Sequence, residues 1–404
     1  DGAQTSSLTI AVIDAISDDN FDAVSDQTVS VTTTDDDVAG FTIAETNGST
    51  SVAESGNTDT FTVVLDAQPD SDVVLTITSA DTGEATVTSS LTFTSANWDT
   101  AQTVTVTGAD DDLIDGTITS TITVSVNDGS SDDNFDSVSD QTVSVTTTDD
   151  DVAGFTIAET GGSTSVAESG TTDTFTVILD AQPSSDVVLS ISSADAGEAT
   201  VTSSLTFTSA NWDTAQTVTV TGIDDDIIDG TQTTTITIAV IDAISDNAFD
   251  SVSNQTVSVA TTDDDVAGFT IAESGGSTSV DESGTTDSFT IVLDTQPSSD
   301  VVLSISSADT GEVTVTSLLT FTSANWDTAQ TVTVTGVDDD IIDGTQTTTV
   351  SVTVVDSISD DNFDSVSDQA VSVATTDDDV AGFTIAETGG STSVAESGNT
   401  DTFT

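Results

Sequence analysis

The chain has 404 residues, of which 72 are Asp or Glu and none is Lys, Arg or His, so its formal net charge is -72 and no side-chain ion pair can form within it. Such a surface repels nucleic acid and anionic lipid, whose recognition rests on Lys and Arg, and excludes both as partners. The absence of Cys excludes disulfides, thiolate metal sites and Cys nucleophiles, leaving stability to core packing and bound cations.

Read in chain order, the elements repeat. The block Asp35-Asp36-Asp37-Val38-Ala39-Gly40-Phe41 returns at Asp149, Asp263 and Asp377, 114 residues apart each time. A period of this length is too long for a solenoid coil and is the size of a whole domain. It predicts the closing part of a truncated unit at 1–37, complete units at 38–151, 152–265 and 266–379, and the opening part of another at 380–404. The expected object is a window of a longer rod, with any secretion signal, anchor or tip domain outside it. The window itself contains no run of 18 apolar residues for a membrane span and no signal-peptide pattern. The joints are short, Asp-rich and nearly free of Pro and Gly, unlike a flexible linker, and predict stiffness.

Within the first complete unit, apolar and Thr/Ser residues alternate at Thr60-Phe61-Thr62-Val63, Leu75-Thr76-Ile77, Leu91-Thr92-Phe93, Thr103-Val104-Thr105-Val106, Ile122-Thr123-Val124-Ser125-Val126 and Val143-Ser144-Val145. Period-two alternation marks strands with one buried and one wet face. Turn clusters such as Gln68-Pro69-Asp70-Ser71 and Asp81-Thr82-Gly83 separate them. The expected fold is all-β: tandem seven-stranded antiparallel β-sandwich units of immunoglobulin-like type, forming a rod. All fifteen Phe fall at positions equivalent to Phe41, Phe61, Phe93 and Phe135, which marks them as core, and Trp98, Trp212 and Trp326 recur in one loop as a lid over the core's end.

Strand parity then places the acids. In an antiparallel sandwich alternate loops share one end, provided that residues 85–94 form one bent strand; two opposed strands there would separate the groups. On that assumption the first unit brings together Glu54 and Asp59, Asp81 and Glu84, Asp110, Asp111, Asp112 and Asp115, and Asp149, Asp150 and Asp151 at its downstream tip. Carboxylates crowded at about 5 Å repel by roughly 3 kcal/mol per pair at an effective dielectric of 20. Calcium fits such a set, since it takes oxygen ligands in adaptable geometry whereas magnesium demands a tight octahedron and zinc prefers nitrogen and sulfur, and about two to four ions per joint are expected. The run Asp110 to Gly116, with closely spaced Asp followed by Gly, suits a loop that wraps a cation and recurs at Asp224 to Gly230 and Asp338 to Gly344. The opposite end carries Asp132, Asp133 and Asp136, which either contact an ion held by the preceding unit or cap solvated loops.

These residues resemble a Calx-beta domain, the calcium-binding sandwich of sodium/calcium exchangers and many bacterial surface proteins. The resemblance covers the whole unit: Ser-Val-Ala-Glu-Ser-Gly at 51–56, Leu-Thr-Phe-Thr at 91–94, Val-Thr-Val-Thr-Gly at 104–108 leading into Asp110-Asp111-Asp112 and Asp115-Gly116, and a closing Asp triplet. The family's acidic Gly-Asp-Glu stretch after the Asp run is replaced here by Asp115-Gly116-Thr117. The resemblance implies a seven-stranded sandwich whose calcium ligands lie at one end: Glu54, Asp81, Asp110, Asp111, Asp115, Asp149, Asp150 and Asp151. Together with Asp112, their equivalents are Glu168, Asp195, Asp224, Asp225, Asp226, Asp229, Asp263, Asp264 and Asp265 in the second unit, and Glu282, Asp309, Asp338, Asp339, Asp340, Asp343, Asp377, Asp378 and Asp379 in the third. Asp1, Asp35, Asp36 and Asp37 are the equivalents in the truncated first unit.

The functional expectation is a structural component of an extracellular filament or cell-surface stalk, built of calcium-stiffened repeats, each adding on the order of 40 Å to a rod given strand rises of about 26 Å. The partners expected are calcium ions and further copies of the same repeat. The alternative is a calcium-dependent adhesion module binding glycan, mineral or neighbouring cells. Catalysis is not expected, because without His, Cys, Lys, Arg or Tyr the only acid-base groups are carboxylates at duplicated ends, with no cleft. Asn47-Gly48-Ser49 and Asn254-Gln255-Thr256 match the N-glycosylation pattern without recurring in the other units, and Thr rows such as Thr103-Val104-Thr105-Val106-Thr107 are the outward faces of ordinary strands.

Overall fold

The computed structural model describes residues 2–404. The chain is nearly all β, in tandem β-sandwich units. It opens on an antiparallel pair, β1 (Gln4–Ile10) and β2 (Gln27–Thr33). The first complete unit follows with nine strand segments: β3 (Phe41–Glu45), β4 (Thr50–Ala53), β5 (Thr58–Leu65), β6 (Val73–Ser79), β7 (Ala85–Val87), β8 (Ser90–Phe93), β9 (Gln102–Gly108), β10 (Ile118–Val126) and β11 (Gln141–Thr148). The same nine segments recur from Phe155 to Thr262 and from Phe269 to Thr376.

Each unit stacks a four-stranded sheet, ordered β3-β5-β9-β7, on a five-stranded one, ordered β4-β11-β10-β6-β8. All pairings are antiparallel except β4 with β11, which is parallel. The nine segments arise from seven strands because two of them change sheets. The opening strand divides between β3 and β4, and the segment 85–94 divides between β7 and β8. Pairing with β9 and β6 shows that β7 and β8 run in the same direction. The change takes two residues: Thr88 still donates its N–H to Thr105 O in one sheet, while Ser89 O already accepts from Ile77 N in the other. The strand is therefore bent, not reversed, and the loops after β4, β6, β9 and β11 all lie at one end.

Alternation builds the core. Phe61 and Val63 on β5, Leu75 on β6, Phe93 on β8, Val104 and Val106 on β9 and Val143 and Val145 on β11 point inward and are buried, and the intervening Thr and Ser point out. Burying each large side chain contributes about 1.5–3 kcal/mol. Two further cores at the equivalent positions lie at Phe155 to Val259 and Phe269 to Val373. In the β1–β2 pair the equivalent apolar residues Leu8, Ile10, Val29 and Val31 are exposed, and so are Phe21, Phe383 and Phe403. Trp98 packs half-buried against the core's base, with its carbonyl accepting Leu65 N, as a lid does.

Candidate metal centre

The loops that end β4, β6, β9 and β11 present their acids to one another at the tip of the unit. Glu54 follows β4 directly, and its N–H donates to Thr148 O at 3.1 Å, extending the parallel ladder to β11. Glu84 is fixed by its carbonyl, which accepts Ala109 N at 2.8 Å. Gly108 lets β9 pass against β4, since a Cβ there would run into Ala53 O. Gly116, at φ 75°, turns its N–H onto Asp149 Oδ2 at 2.8 Å, tying the loop after β9 to the end of β11. Asp149 Oδ1 in turn accepts Asp151 N at 2.7 Å.

The result is two overlapping groups at the first tip. Oxygens of Glu54, Glu84 and Asp115 lie within 4.8 Å of one another, and so do oxygens of Glu54, Asp149 and Asp151. The second tip gathers Glu168, Asp225 and Asp265, and the third Glu282, Asp377 and Asp379. All members of each group come from one unit.

Electrostatics at these tips is unfavourable as it stands. Glu54, Glu168 and Glu282 are each only 1 % exposed. Glu54 Oε2, Glu84 Oε2, both oxygens of Glu168, Glu198 Oε2, Asp265 Oδ2, Glu282 Oε2, Glu312 Oε2 and Asp379 Oδ2 are buried without a hydrogen-bond partner. Burial first, and then the charges of Asp149, Asp111, Asp115 and Glu84, pushes Glu54 up to about 7 from its ordinary 4.5. Glu168 rises to about 7 and Asp265 to about 6 for the same reasons in the same order. Glu84, Asp115, Asp151, Glu198, Glu312 and Asp379 are also raised, burial again leading. Buried polar atoms normally find partners, and the chain has no basic side chain to supply one. An orphaned, all-oxygen donor set of this charge fits a hard divalent cation, whereas nitrogen- and sulfur-preferring metals have nothing to bind.

The clusters leave out several of the residues singled out from the sequence. Asp81 Oδ1 accepts Gly83 N at 3.0 Å in its own turn, Asp111 Oδ1 accepts Leu113 N at 2.8 Å while still raising Glu54, and Asp112 lends its carbonyl to the next unit. Asp110 and Asp150, with their equivalents Asp224, Asp338, Asp264 and Asp378, flank the groups, as do Asp195 and Asp309 at the turn matching Asp81. Asp226, Asp229, Asp340 and Asp343 occupy the matching loops; Asp229 and Asp343 raise Glu168 and Glu282. In the truncated first unit Asp35 Oδ2 accepts Gly2 N at 2.6 Å and Oδ1 accepts Asp37 N at 3.1 Å, with Asp36 between them. Asp1 lies outside the described residues. Glu84, which strand parity gathers at the tip but the resemblance does not include, is a member of the first group.

The opposite end is different. Asp132 is buried, but Oδ2 accepts the N–H groups of Asp70 (2.7 Å) and Ser71 (2.9 Å) and Oδ1 that of Asn134 (3.0 Å). Burial raises its pKa and these donors more than offset it, leaving it lowered, as they do for Asp246 and Asp360. It is a loop cap whose oxygens are already occupied.

The tip loop also forms the joint. Asp112 O accepts Gln182 N of the second unit at 2.6 Å, Ile114 N donates to Gln182 O at 3.4 Å, and the Ile114 side chain packs against the second core. At the next joint Asp226 O accepts Gln296 N at 2.7 Å, and Asn362 Nδ2 donates to Ile228 O at 3.3 Å.

No family model and no curated protein matches the chain. Solved structures do. The calcium binding domain CBD12 of CALX1.1 is 14 % identical with a TM-score of 0.22, over 49 % of this chain and 80 % of that one. An I-band fragment from titin is 10 % identical with a TM-score of 0.25, over 85 % and 97 %. Domains 4–9 of the surface layer protein SbsC are 18 % identical with a TM-score of 0.22, over 87 % and 52 %. At these scores the β-sandwich assignment rests on the strand pairing itself. No helix among the described residues is long and apolar enough to cross a membrane.

Proposed function

We propose that the chain is a structural, non-catalytic rod segment of the extracellular surface, and that calcium holds the carboxylates at the tip of each unit. The observation that carries the reading is the set of buried, unpartnered carboxylate oxygens recurring at the three tips in a chain without a single basic side chain. Glu54, Glu84, Asp115, Asp149 and Asp151 would hold the ion at the first tip, with Asp111 beside them. The bound cation supplies neutralising charge and ties the four loops together.

Stiffening follows from the loop that the tip shares with the joint. Residues 110–116 carry Asp111 and Asp115, and between them grip Gln182 through Asp112 O and Ile114 N. Fixing Asp111 and Asp115 restrains the residues between them that hold the joint. The Calx-beta resemblance points to the same residues apart from Glu84, and to calcium. Electron microscopy of the chain with calcium and with a chelator tests the reading: straight rods are expected in calcium and bent ones without it, and rods equally straight in both would defeat the calcium role.

A further inference from the structure

Although the chain carries 72 acids, the outer faces of its four-stranded sheets carry none. On the four-stranded sheet of the first unit the outward positions are Thr42 and Ala44 on β3, Thr58, Thr60, Thr62 and Val64 on β5, Thr86 on β7, and Thr103, Thr105 and Thr107 on β9. The acids on those strands, Glu45 and Asp59, share the inward parity of Phe41 and Phe61 and bond within the unit, to Thr50 Oγ1 and Ser51 N. The outer face of the five-stranded sheet is neutral in the first two units and carries one acid, Asp281, at a strand end in the third; the remaining charge is gathered into belts at the ends of each unit.

The two faces differ in how far they drift between units. Of those ten positions on the four-stranded sheet, only two change across the three units, Thr60 to Ser288 and Val64 to Ile178. On the five-stranded sheet eight of fifteen outward positions change, including Ala53 to Asp281, Ser125 to Ala239, Thr142 to Ala370, Thr146 to Ala260 and Ser90 to Leu318. Both faces are outward and β-paired, so strand propensity does not distinguish them, and only the four-stranded one is free of acids in all three units.

We propose that the outer face of the four-stranded sheet is where a second copy of this chain packs side by side. Two molecules of charge -72 can approach closely only where carboxylates are absent, and on this face the acids stay at the belts. At about 4.8 Å per strand and about 3.3 Å per residue, one face covers roughly 320 Å². That is short of the about 800 Å² per partner of a specific interface, which three faces together reach. Association therefore depends on several units engaging at once, so identical faces must repeat along the chain. A carbohydrate partner is disfavoured because the face presents no aromatic ring for a sugar to stack on.

Sedimentation velocity of the full chain over a concentration series tests this, run both in calcium and in chelator with about 0.5 M salt. The Debye length is then about 4 Å, so the end belts are screened whether or not they bind ions and the outcome is independent of the calcium reading. The wild type is expected to self-associate in both. The triple variant Thr105→Asp, Thr219→Asp, Thr333→Asp is expected to associate at least tenfold more weakly with its thermal unfolding retained. The control Thr123→Asp, Thr237→Asp, Ser351→Asp adds the same charge to the other face and is expected to behave as wild type. A wild type that stays monomeric throughout, equal losses in both variants, or a monomeric wild type that binds neutral polysaccharide through the Thr face would each overturn the proposal.

Discussion

At the residue scale, the decisive groups are glutamates that are buried before they are neutralised. Replacing Glu54, Glu168 and Glu282 by Gln keeps their shape and removes one charge per tip, so opposite effects are expected in the two states: a higher melting temperature in chelator, and calcium affinity weakened by about tenfold, or ~1.4 kcal/mol, per tip. Calorimetry with and without calcium checks both. The pH dependence has a defined sign. Glu54 titrates at about 7 when folded and near its ordinary 4.5 when unfolded, so between those values the folded cation-free chain holds protons that the unfolded chain has released. Its stability in chelator is present below about pH 4.5 and is lost as pH rises through about 7. Calcium should remove that loss and release protons on binding near neutrality. Asp132 runs the other way: its folded pKa is lowered, so its contribution is present above its ordinary 3.8 and is lost as pH falls through the folded value. The convergence of these acids was legible because each sits at a loop whose end of the sandwich parity dictates. Which of them meet within ligand distance was not, because Asp81 turns back onto the backbone of its own turn and Asp59 onto Ser51 N of the neighbouring strand.

At the scale of elements, alternation made the strands readable, and the Phe positions made the core readable. The bend at Thr88-Ser89 was not, since no Gly or Pro marks it, yet it decides where the acids go: it keeps β7 and β8 codirectional and so places the loops after β6 and β9 at one end. Gly108 is the tightest point in that arrangement. Gly108→Ala should cost about 2 kcal/mol or more, read as a lowered denaturant midpoint for one unit, because the added methyl meets backbone rather than a movable side chain. The joint rests on backbone contacts to Gln182, which sequence pattern does not announce. Gln182→Pro removes the N–H that binds Asp112 O, and small-angle scattering is expected to report a wider spread of bend at one joint while unit melting stays unchanged.

At the scale of the whole molecule, the charge is segregated: acids at the joints, hydroxyls along the flanks. Each unit is closed by its own hydrophobic core and linked to the next by a loop that also faces the tip carboxylates, so rigidity should rise and fall with cation occupancy while the units stay folded. The central claim is that the tips bind divalent cations, and equilibrium dialysis with calcium at pH 7 and near-physiological salt tests it most directly. The account predicts saturable binding of at least about two ions per complete tip, weakened when Glu54, Glu168 and Glu282 are changed to Gln. Absence of saturable binding at millimolar calcium, or binding untouched by those three substitutions, would contradict it.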